Sequence, residues 1–249
     1  MGRSVIVADY LKALEELPLG TVSDLTADAP FLILSPHADD ETLGCGGLLA
    51  LTASTGYGHV AILTDGAGSH PGSMAYPPHR LARLREDETR DAMRHLGVHA
   101  SHVEFMRGPD TALPSVGPAF DPMVDAVVAS ARRIEAASIF VTWSHDPHCD
   151  HEAAAAIAVA AAAMLAPIRL WAYPIWRWHL NGPEVINVSG PTGSRLAIEP
   201  VRDLKRGALA RYASQMTRLI DDDPNGFCFT EAQLAPFLGP FEYFIALQS

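Results

Sequence analysis

The chain has few cysteines, few cations and no long apolar run. Its three cysteines, Cys45, Cys149 and Cys228, cannot all pair with one another, which excludes a disulfide framework. Reduced thiols are typical of the cytoplasm, so we expect a cytoplasmic protein. The N-terminus carries an apolar run of only four residues before Asp9, and we therefore expect no signal peptide.

Cations are outnumbered by acids along the whole chain. The 18 lysines and arginines face 29 aspartates and glutamates, which gives a formal net charge of −11. A broadly acidic surface repels nucleic acid and anionic lipid, so neither is an expected partner. No apolar run reaches the roughly 18 residues of a membrane span, and the Ala-rich segment 153–168 predicts a buried helix broken at Pro167. We expect no membrane insertion.

Apolar runs alternate with helical patterns over most of the 249 residues. Hydrophobic residues make up 48 % of the chain and charged residues 19 %, which is typical of a globular protein with a packed core. Strands are predicted over 31–35, 59–64, 102–106, 138–142 and 168–173, with helices between them and a late helix over 202–219. This alternation predicts a Rossmann-like α/β fold: a mostly parallel sheet with helices on both faces, in a single domain over 1–249.

A histidine and three acids follow the first buried strand. His37, Asp39, Asp40 and Glu41 come directly after that strand and open the next helix. One interpretation is that the acids only cap the helix and favour its dipole. A dinucleotide loop is a second interpretation, because Gly44–Gly47 is rich in glycine. Its glycine pattern is incomplete, and the acids would repel a pyrophosphate, so we expect the glycines to serve a tight turn from strand to helix.

A second histidine cluster follows the fourth predicted strand. His148 and His151 are three residues apart and share one face of a helical turn, with Asp146 or Asp150 as a candidate cap. A solvated loop that holds several histidines by chance is the alternative. Both clusters lie at carboxyl ends of parallel strands, which meet at one edge of the sheet. Together they offer the three ligands and open position of a catalytic zinc site.

Two motifs make the sequence similar to the PIG-L/LmbE-like family of zinc-dependent N-deacetylases. The first reads Pro-His-Ala-Asp-Asp-Glu over 36–41, and the second reads His-Cys-Asp-His over 148–151. Ala38 and Cys149 stand where the family has proline, and neither position supplies a ligand. Weaker matches are the helix around Arg85 and the late helix 205–215. The resemblance spans about residues 30–216 in the family's order.

The resemblance implies a role for each matched residue. His37, Asp40 and His151 would bind one Zn²⁺, although other divalent metals suit the same ligands. Asp39 would be the general base, and protonated His148 would be the acid or electrophilic partner. Arg85 would bind substrate, and Asp150 would orient a histidine.

The function implied by the resemblance is a hydrolase. It would cleave the N-acetyl amide of an N-acetylglucosamine-type sugar or sugar conjugate, so the expected partner is a small sugar or glycoconjugate. An amidase for a larger acyl group or a thiol conjugate is the alternative within enzymes. A non-catalytic sugar-binding protein and a nucleotide-binding protein are further alternatives, and the intact acids and histidines disfavour the first of them.

Overall fold

An eight-stranded sheet carries the two motifs to the same edge of the molecule. The structure is a computed structural model, and it describes residues 3–179 and 184–247. The strands are β1 (Arg3–Ile6), β2 (Leu19–Gly20), β3 (Phe31–Ser35), β4 (Gly58–Thr64), β5 (Val103–Gly108), β6 (Ser138–Thr142), β7 (Arg169–Tyr173), β8 (Val185–Val188), β9 (Gly193–Ala197) and β10 (Phe241–Leu247).

Helices cover both faces of this sheet. They are α1 (Val7–Glu15), α2 (Val22–Thr26), α3 (Asp40–Thr52), α4 (Pro78–His95), α5 (Phe120–Arg133), α6 (Cys149–Leu165), α7 (Arg202–Leu209), α8 (Ala213–Met216) and α9 (Glu231–Leu234). On β3, Phe31 and Ile33 pack with α3, α4 and α7, whereas Leu32 and Leu34 pack with α5 and α6. The strand is buried on both faces, which explains its unbroken apolar run.

The order of strands in the main sheet is β2-β9-β10-β7-β6-β3-β4-β5. Strands β3 to β7 are parallel, and β10 runs antiparallel between β7 and β9. A separate antiparallel pair joins β1 to β8. The predicted fold class, a mostly parallel α/β sheet with helices on both faces, is confirmed. That all of 1–249 makes one domain stays a prediction.

Two predicted helix boundaries are wrong. Helix α6 begins at Cys149, ahead of the Ala-rich segment 153–168 in which the helix was predicted, so the second motif lies at its N-cap and first turn. The helix predicted over 202–219 ends at Leu209, and the short α8 follows. The break lies at Tyr212, which leaves helical geometry (φ −81°, ψ 60°) while its buried hydroxyl donates to Glu41. Among the residues described, no helix has both the length and the apolar character to cross a membrane.

Candidate metal centre

The two motifs meet at the point where the strand order reverses. Strand β3 is followed in sequence by its neighbour β4, whereas its other neighbour, β6, is reached only after β5. The loops after β3 and β6 therefore diverge to opposite faces and leave a crevice at the carboxyl ends of the strands. The first motif lies in the loop after β3, and the second lies in the loop after β6 and the first turn of α6.

Three of the predicted ligands converge on one point. The Oδ2 atom of Asp40 lies 3.1 Å from His37 Nδ1 and 3.2 Å from His151 Nε2. All three residues are buried, and His37 is the most exposed of them at 9 %. One nitrogen of each imidazole thus lies within 3.2 Å of the same carboxylate oxygen.

A carboxylate holds the far side of each of these imidazole rings. Asp150 Oδ2 lies 3.1 Å from His37 Nε2, and Asp146 Oδ2 lies 3.0 Å from His151 Nδ1. Asp146 also accepts the backbone N–H groups of Ile175 and Arg177, which fixes its orientation. A carboxylate behind a histidine retains the proton on the far nitrogen and leaves the lone pair of the near nitrogen available.

The donor set fits a divalent metal. Imidazole nitrogen and carboxylate oxygen are ligands of zinc and of related cations. Separations of 3.1 and 3.2 Å between donor atoms are close to the roughly 3.3 Å between neighbouring ligand atoms of a tetrahedral zinc site. In addition, His151 Nε2 is buried, and among the described residues it makes no well-aligned hydrogen bond, although Asp40 Oδ2 lies 3.2 Å from it. A cation between these two atoms would give both of them a partner.

Other combinations of side chains are also close together. Nitrogen atoms of His37, His148 and His151 lie within 4.8 Å of one another, and a second set joins His37 to Asp110 and Asp150. Asp150 accepts the backbone N–H groups of Thr111 and Leu113 at 2.7 and 2.9 Å, so both of its oxygens are already engaged. That engagement favours an orienting role for Asp150 over metal ligation.

Burial and the acids pull the pKa values of the histidines in opposite directions. Burial alone would lower the pKa of His37, but Asp110, Asp150 and Asp40 outweigh it and raise that pKa well above its ordinary value. In the same way, burial alone would lower the pKa of His151, but Asp40 and Asp146 outweigh it and raise that pKa to about 9. The protein without a cation therefore retains protons on both rings, which a bound metal would have to displace.

Asp39 occupies an unusual position at the start of α3. It is the N-cap residue, yet its side chain accepts no hydrogen bond from the helix, so the interpretation of this acid as a simple cap fails. Its backbone has φ 137°, a conformation that residues other than glycine rarely adopt. Burial raises the pKa of its carboxyl well above the ordinary value, and Asp40 and Glu41 add to the rise while Arg85 opposes it.

His148 is the cap of α6, in place of the expected Asp146 or Asp150. Its side chain accepts the backbone N–H of Asp150, through Nδ1 at 3.2 Å. In the neutral ring the proton then lies on Nε2. Burial, together with His37 and His151, lowers the pKa of His148 to about 4. The free protein therefore favours neutral His148, not the protonated form expected from the sequence.

Arg85 is almost completely buried, with 3 % of its surface exposed. Its guanidinium donates to the carbonyl of Ala38 at 2.8 Å and to that of Gly66 at 3.2 Å, and it lies 3.5 Å from Asp39 Oδ2. Arg85 lines the cleft over the candidate centre and joins the loop that carries Asp39 to the loop after β4, which carries Gly66.

A cleft of about 340 Å³ opens above these residues. The sequence-based predictions gave no individual role to five of its lining residues, although one of them, Gln215, ends the late helix matched to the family; the five are Asp110, Gln215, Asn225, Phe227 and Phe229. Asp110 follows β5 at the same edge of the sheet as the two motifs, and that position was the available signal for it. Gln215 lies in α8, and the other three lie in an irregular segment late in the chain, where no local pattern marks them.

Comparison with solved structures places this fold among known ones. The conserved protein TT1542 from Thermus thermophilus is 28 % identical, with a TM-score of 0.61 over 87 % of this chain and 94 % of that one. N,N'-diacetylchitobiose deacetylase from Pyrococcus horikoshii is 18 % identical, with a TM-score of 0.67 over 96 % and 92 %. A 4-carboxy-2-hydroxymuconate hydratase from Pseudomonas putida KT2440 is equally similar, at 18 % identity and TM-score 0.67 over 88 % and 97 %. The fold alone therefore does not determine the reaction.

The fold and the donor set define a metal-dependent hydrolase of the α/β class. No curated protein matches the sequence. The family described as PIG-L, GlcNAc-PI de-N-acetylase, matches residues 32–162, which contain both motifs, and the chain belongs to it. The predictions of this family and of a metal-dependent deacetylase for N-acetylglucosamine-type sugars are thereby confirmed.

Proposed function

We propose that His37, Asp40 and His151 bind one zinc ion and that Asp39 and His148 carry out the hydrolysis. The substrate is an N-acetyl amide on an N-acetylglucosamine-type sugar or sugar conjugate, and the products are acetate and a free amine. The convergence of two imidazole nitrogens on Asp40 Oδ2, beside an acid that caps nothing, carries the proposal. The cytoplasmic location expected from the cysteines remains part of the same proposal.

A bound zinc ion would polarise the amide and lower the pKa of water in the site. The protein's own residues prepare the site for it. Asp150 and Asp146 hold the outer nitrogens of His37 and His151 at 3.1 and 3.0 Å, which leaves the inner nitrogens as electron-pair donors. Asp40 supplies the one negatively charged ligand.

Asp39 is the proposed general base. Its raised pKa makes the carboxylate a better proton acceptor than an ordinary aspartate. It takes the proton of the attacking water and delivers it to the departing amine. Arg85, whose guanidinium lies 3.5 Å from Asp39 Oδ2, opposes the rise in that pKa and so favours the charged carboxylate that accepts the proton.

His148 is the proposed donor to the developing oxyanion. Because its Nδ1 accepts the N–H of Asp150, its Nε2 carries the proton in the neutral ring. A neutral N–H group that is already oriented can stabilise negative charge on the amide oxygen without itself giving up a proton.

The test is a panel of N-acetylated sugars and sugar conjugates, scored for released acetate with and without a chelator. Conjugates with longer acyl groups and thiol conjugates belong on the panel, because they represent the alternative amidase. We expect acetate release that chelation abolishes. Hydrolysis of only the longer acyl or thiol conjugates would support the alternative.

Variants separate the proposed roles. Asp39→Asn is expected to lower kcat by roughly 10²–10⁴-fold with metal retained, because general base catalysis contributes about that much. His151→Ala should lose metal, measured by elemental analysis of the purified protein, whereas His148→Ala should retain metal and lose turnover. Equal metal loss in both histidine variants would contradict the assignment and favour the three-histidine ligand set.

A further inference from the structure

A further set of metal-binding side chains lies beside the candidate metal centre. One nitrogen of His148, the Sγ of Cys149 and one oxygen of Asp150 lie within 4.8 Å of one another, where α6 begins. Cys149 is exposed, His148 is half-buried and Asp150 is fully buried. The family has proline at position 149, and the function proposed above gives Cys149 no role. The thiol is therefore a feature of this chain that deacetylation does not explain.

The thiol of Cys149 faces two oxygen atoms. Its Sγ donates to the carbonyl oxygen of Thr111 at 3.4 Å and to Asp150 Oδ1 at 3.7 Å. In a tetrahedral zinc site a sulfur and an oxygen ligand lie roughly 3.6 Å apart, because Zn–S is about 2.3 Å and Zn–O about 2.1 Å. A cation that replaced the thiol proton would therefore meet sulfur and oxygen donors at suitable separations.

The two oxygens of Asp150 face two different places. Its Oδ2 lies 3.1 Å from His37 Nε2, which is the orienting contact described above. Its Oδ1 accepts the backbone N–H of Leu113 at 2.9 Å, and a carboxylate oxygen has a second lone pair, which here accepts the thiol. A cation at Oδ1 would therefore leave the contact with His37 in place.

His148 connects this set to the proposed chemistry. It lines the cleft, and its ring lies 4.6 Å from that of His37 and 5.1 Å from that of His151, between centroids. Thiolate and imidazole are both good ligands of zinc, and the softer cadmium ion favours thiolate more strongly. A cation held by the thiolate and by this imidazole would withdraw the ring from the amide oxygen that it is proposed to stabilise.

We propose that Cys149, His148 and Asp150 form a second site, for a thiophilic divalent cation such as Zn²⁺ or Cd²⁺, and that its occupancy inhibits the enzyme. The thiol releases its proton to solvent and the sulfur donates an electron pair to the cation, with no change of oxidation state. Thiolate and carboxylate bring two negative charges, which offset repulsion by a cation in the first site. The inhibition, unlike the binding, rests on the function proposed above.

Cadmium titration of the zinc-loaded enzyme tests the site. The proposed ligands of the first site are nitrogen and oxygen, so the ultraviolet charge-transfer band of a cadmium thiolate cannot come from it. We expect the band to saturate at one Cd²⁺ per chain, and acetate release from the methyl glycoside of N-acetylglucosamine to fall in parallel. Absence of the band, or a saturated band with undiminished turnover, would overturn the inference.

Two variants remove the sulfur. Cys149→Ser retains the size of the side chain, and Cys149→Pro suits the first position of a helix, where the N–H has no partner within the helix. Both should lose the band. Both should also need at least about tenfold more Cd²⁺ for half-inhibition of their own starting rate, since even the outer partners of a metal contribute about 10–100-fold in affinity. Half-inhibition at the Cd²⁺ concentration of the unaltered enzyme would refute the site.

Cys228→Ser is the matched control. The thiol of Cys228 also donates to a backbone carbonyl, that of Thr217 at 3.3 Å, but among the described residues it joins no set of histidines and acids that could bind a metal. The band and the inhibition should both remain in this variant. Loss of the band here would assign the cadmium to Cys228 and remove the proposed site.

His148→Ala tests whether the cation binds the imidazole. This variant is followed by the band alone, because His148 is also a proposed catalytic residue. The Kd for Cd²⁺ should rise by at least about tenfold, with zinc in the first site retained. An unchanged Kd would refute the proposed cause of inhibition.

The band also separates this inference from the function proposed above, because it does not depend on turnover. A cadmium thiolate band that Cys149→Ser abolishes, in a protein that releases acetate from no sugar, would support the second site and remove the deacetylase. Acetate release from a protein without the band would remove the second site alone.

Discussion

Glu41 is the residue through which the structure holds Asp39 in its unusual conformation. Its buried carboxylate accepts the backbone N–H of Asp39 at 3.1 Å and lies 2.8 Å from Ser35 Oγ. Its other oxygen accepts the hydroxyls of Thr42 and Tyr212. A residue at φ 137° persists only where its surroundings determine its geometry, and these contacts supply that determination.

Replacement of Glu41 by glutamine tests this positioning. Glu41→Gln retains the size of the side chain but replaces one acceptor oxygen by an NH2 donor, which then faces the donors that bind Glu41. The mismatch costs about 1–3 kcal/mol of unfolding free energy. We expect kcat to fall by about tenfold with metal content unchanged, because the carboxylate of Asp39 loses its fixed direction.

Glu88→Gln is the matched control for that variant. Glu88 is also buried, and it accepts the N–H and hydroxyl of Ser214 at 2.7 and 2.6 Å. A similar loss of stability with kcat retained is expected there, from urea denaturation and steady-state kinetics. If Glu41→Gln lowered stability alone, the positioning role would be refuted.

The sequence predicts the location of a site residue when that residue directly follows a strand. The two clusters that contain His37, Asp40 and His151 could be brought together in advance because parallel strands end at one edge of the sheet, whereas the choice of these three as ligands came from the family resemblance. Asp146 was expected only as a cap, although it holds His151 Nδ1 at 3.0 Å. Its role depends on the path of the chain at residues 175–177, and no local pattern contains that path.

Helix α3 shows at the scale of an element how the glycines of the first motif are used. From the sequence they would serve a tight turn between strand and helix. They lie instead inside the helix, where Gly44 and Gly47 allow close packing. A Cβ at Gly44 would lie 2.2 Å from the ring of Tyr173, and one at Gly47 would lie 2.3 Å from Ile198. The expectation of a turn is therefore wrong, because tertiary packing and not backbone conformation requires the glycines.

Alanine substitutions in α3 test this packing. Gly44→Ala should lower the unfolding free energy by about 1–3 kcal/mol, because Tyr173 is fully buried and its hydroxyl is held by the carbonyl of Leu34. Gly46→Ala is the control: its Cβ would lie 3.1 Å from a methylene of Lys205, and alanine favours a helix by about 1 kcal/mol over glycine. Urea denaturation should show a loss in the first variant and little change in the second. Equal effects would contradict the packing argument.

At the scale of the whole molecule, the site depends on the order of strands in the sheet, and this order could not be predicted from the sequence. The alternation of strands and helices predicts a parallel sheet, but it does not say that β6 lies beside β3 and not beside β5. That choice creates the crevice between the two motifs. The antiparallel insertion of β10 between β7 and β9 was equally invisible, because it pairs residues far apart in sequence.

Removal of the metal should weaken the whole fold. Without a cation, the negative charges of the acids at the base of the crevice must be balanced by the protonated histidines. Asp39 also remains buried beside two further acids, Asp40 and Glu41. Zinc at about 100 times its Kd would add about 2.7 kcal/mol to the unfolding free energy, or roughly 5–10 °C in Tm. Calorimetry of chelated and zinc-restored protein checks this. An equal Tm in both would exclude tight binding to the folded state.

Strand β10 has a consequence for the protein during its synthesis. Glu242, on that strand, accepts the backbone N–H groups of Gly47 and Leu48 in α3 and pairs with buried Lys205. A ribosome releases the predicted metal ligands about ninety residues before it releases Glu242. The nascent chain therefore has all three predicted ligands before α3, the helix that begins at Asp40, gains the hydrogen bonds that Glu242 accepts from it.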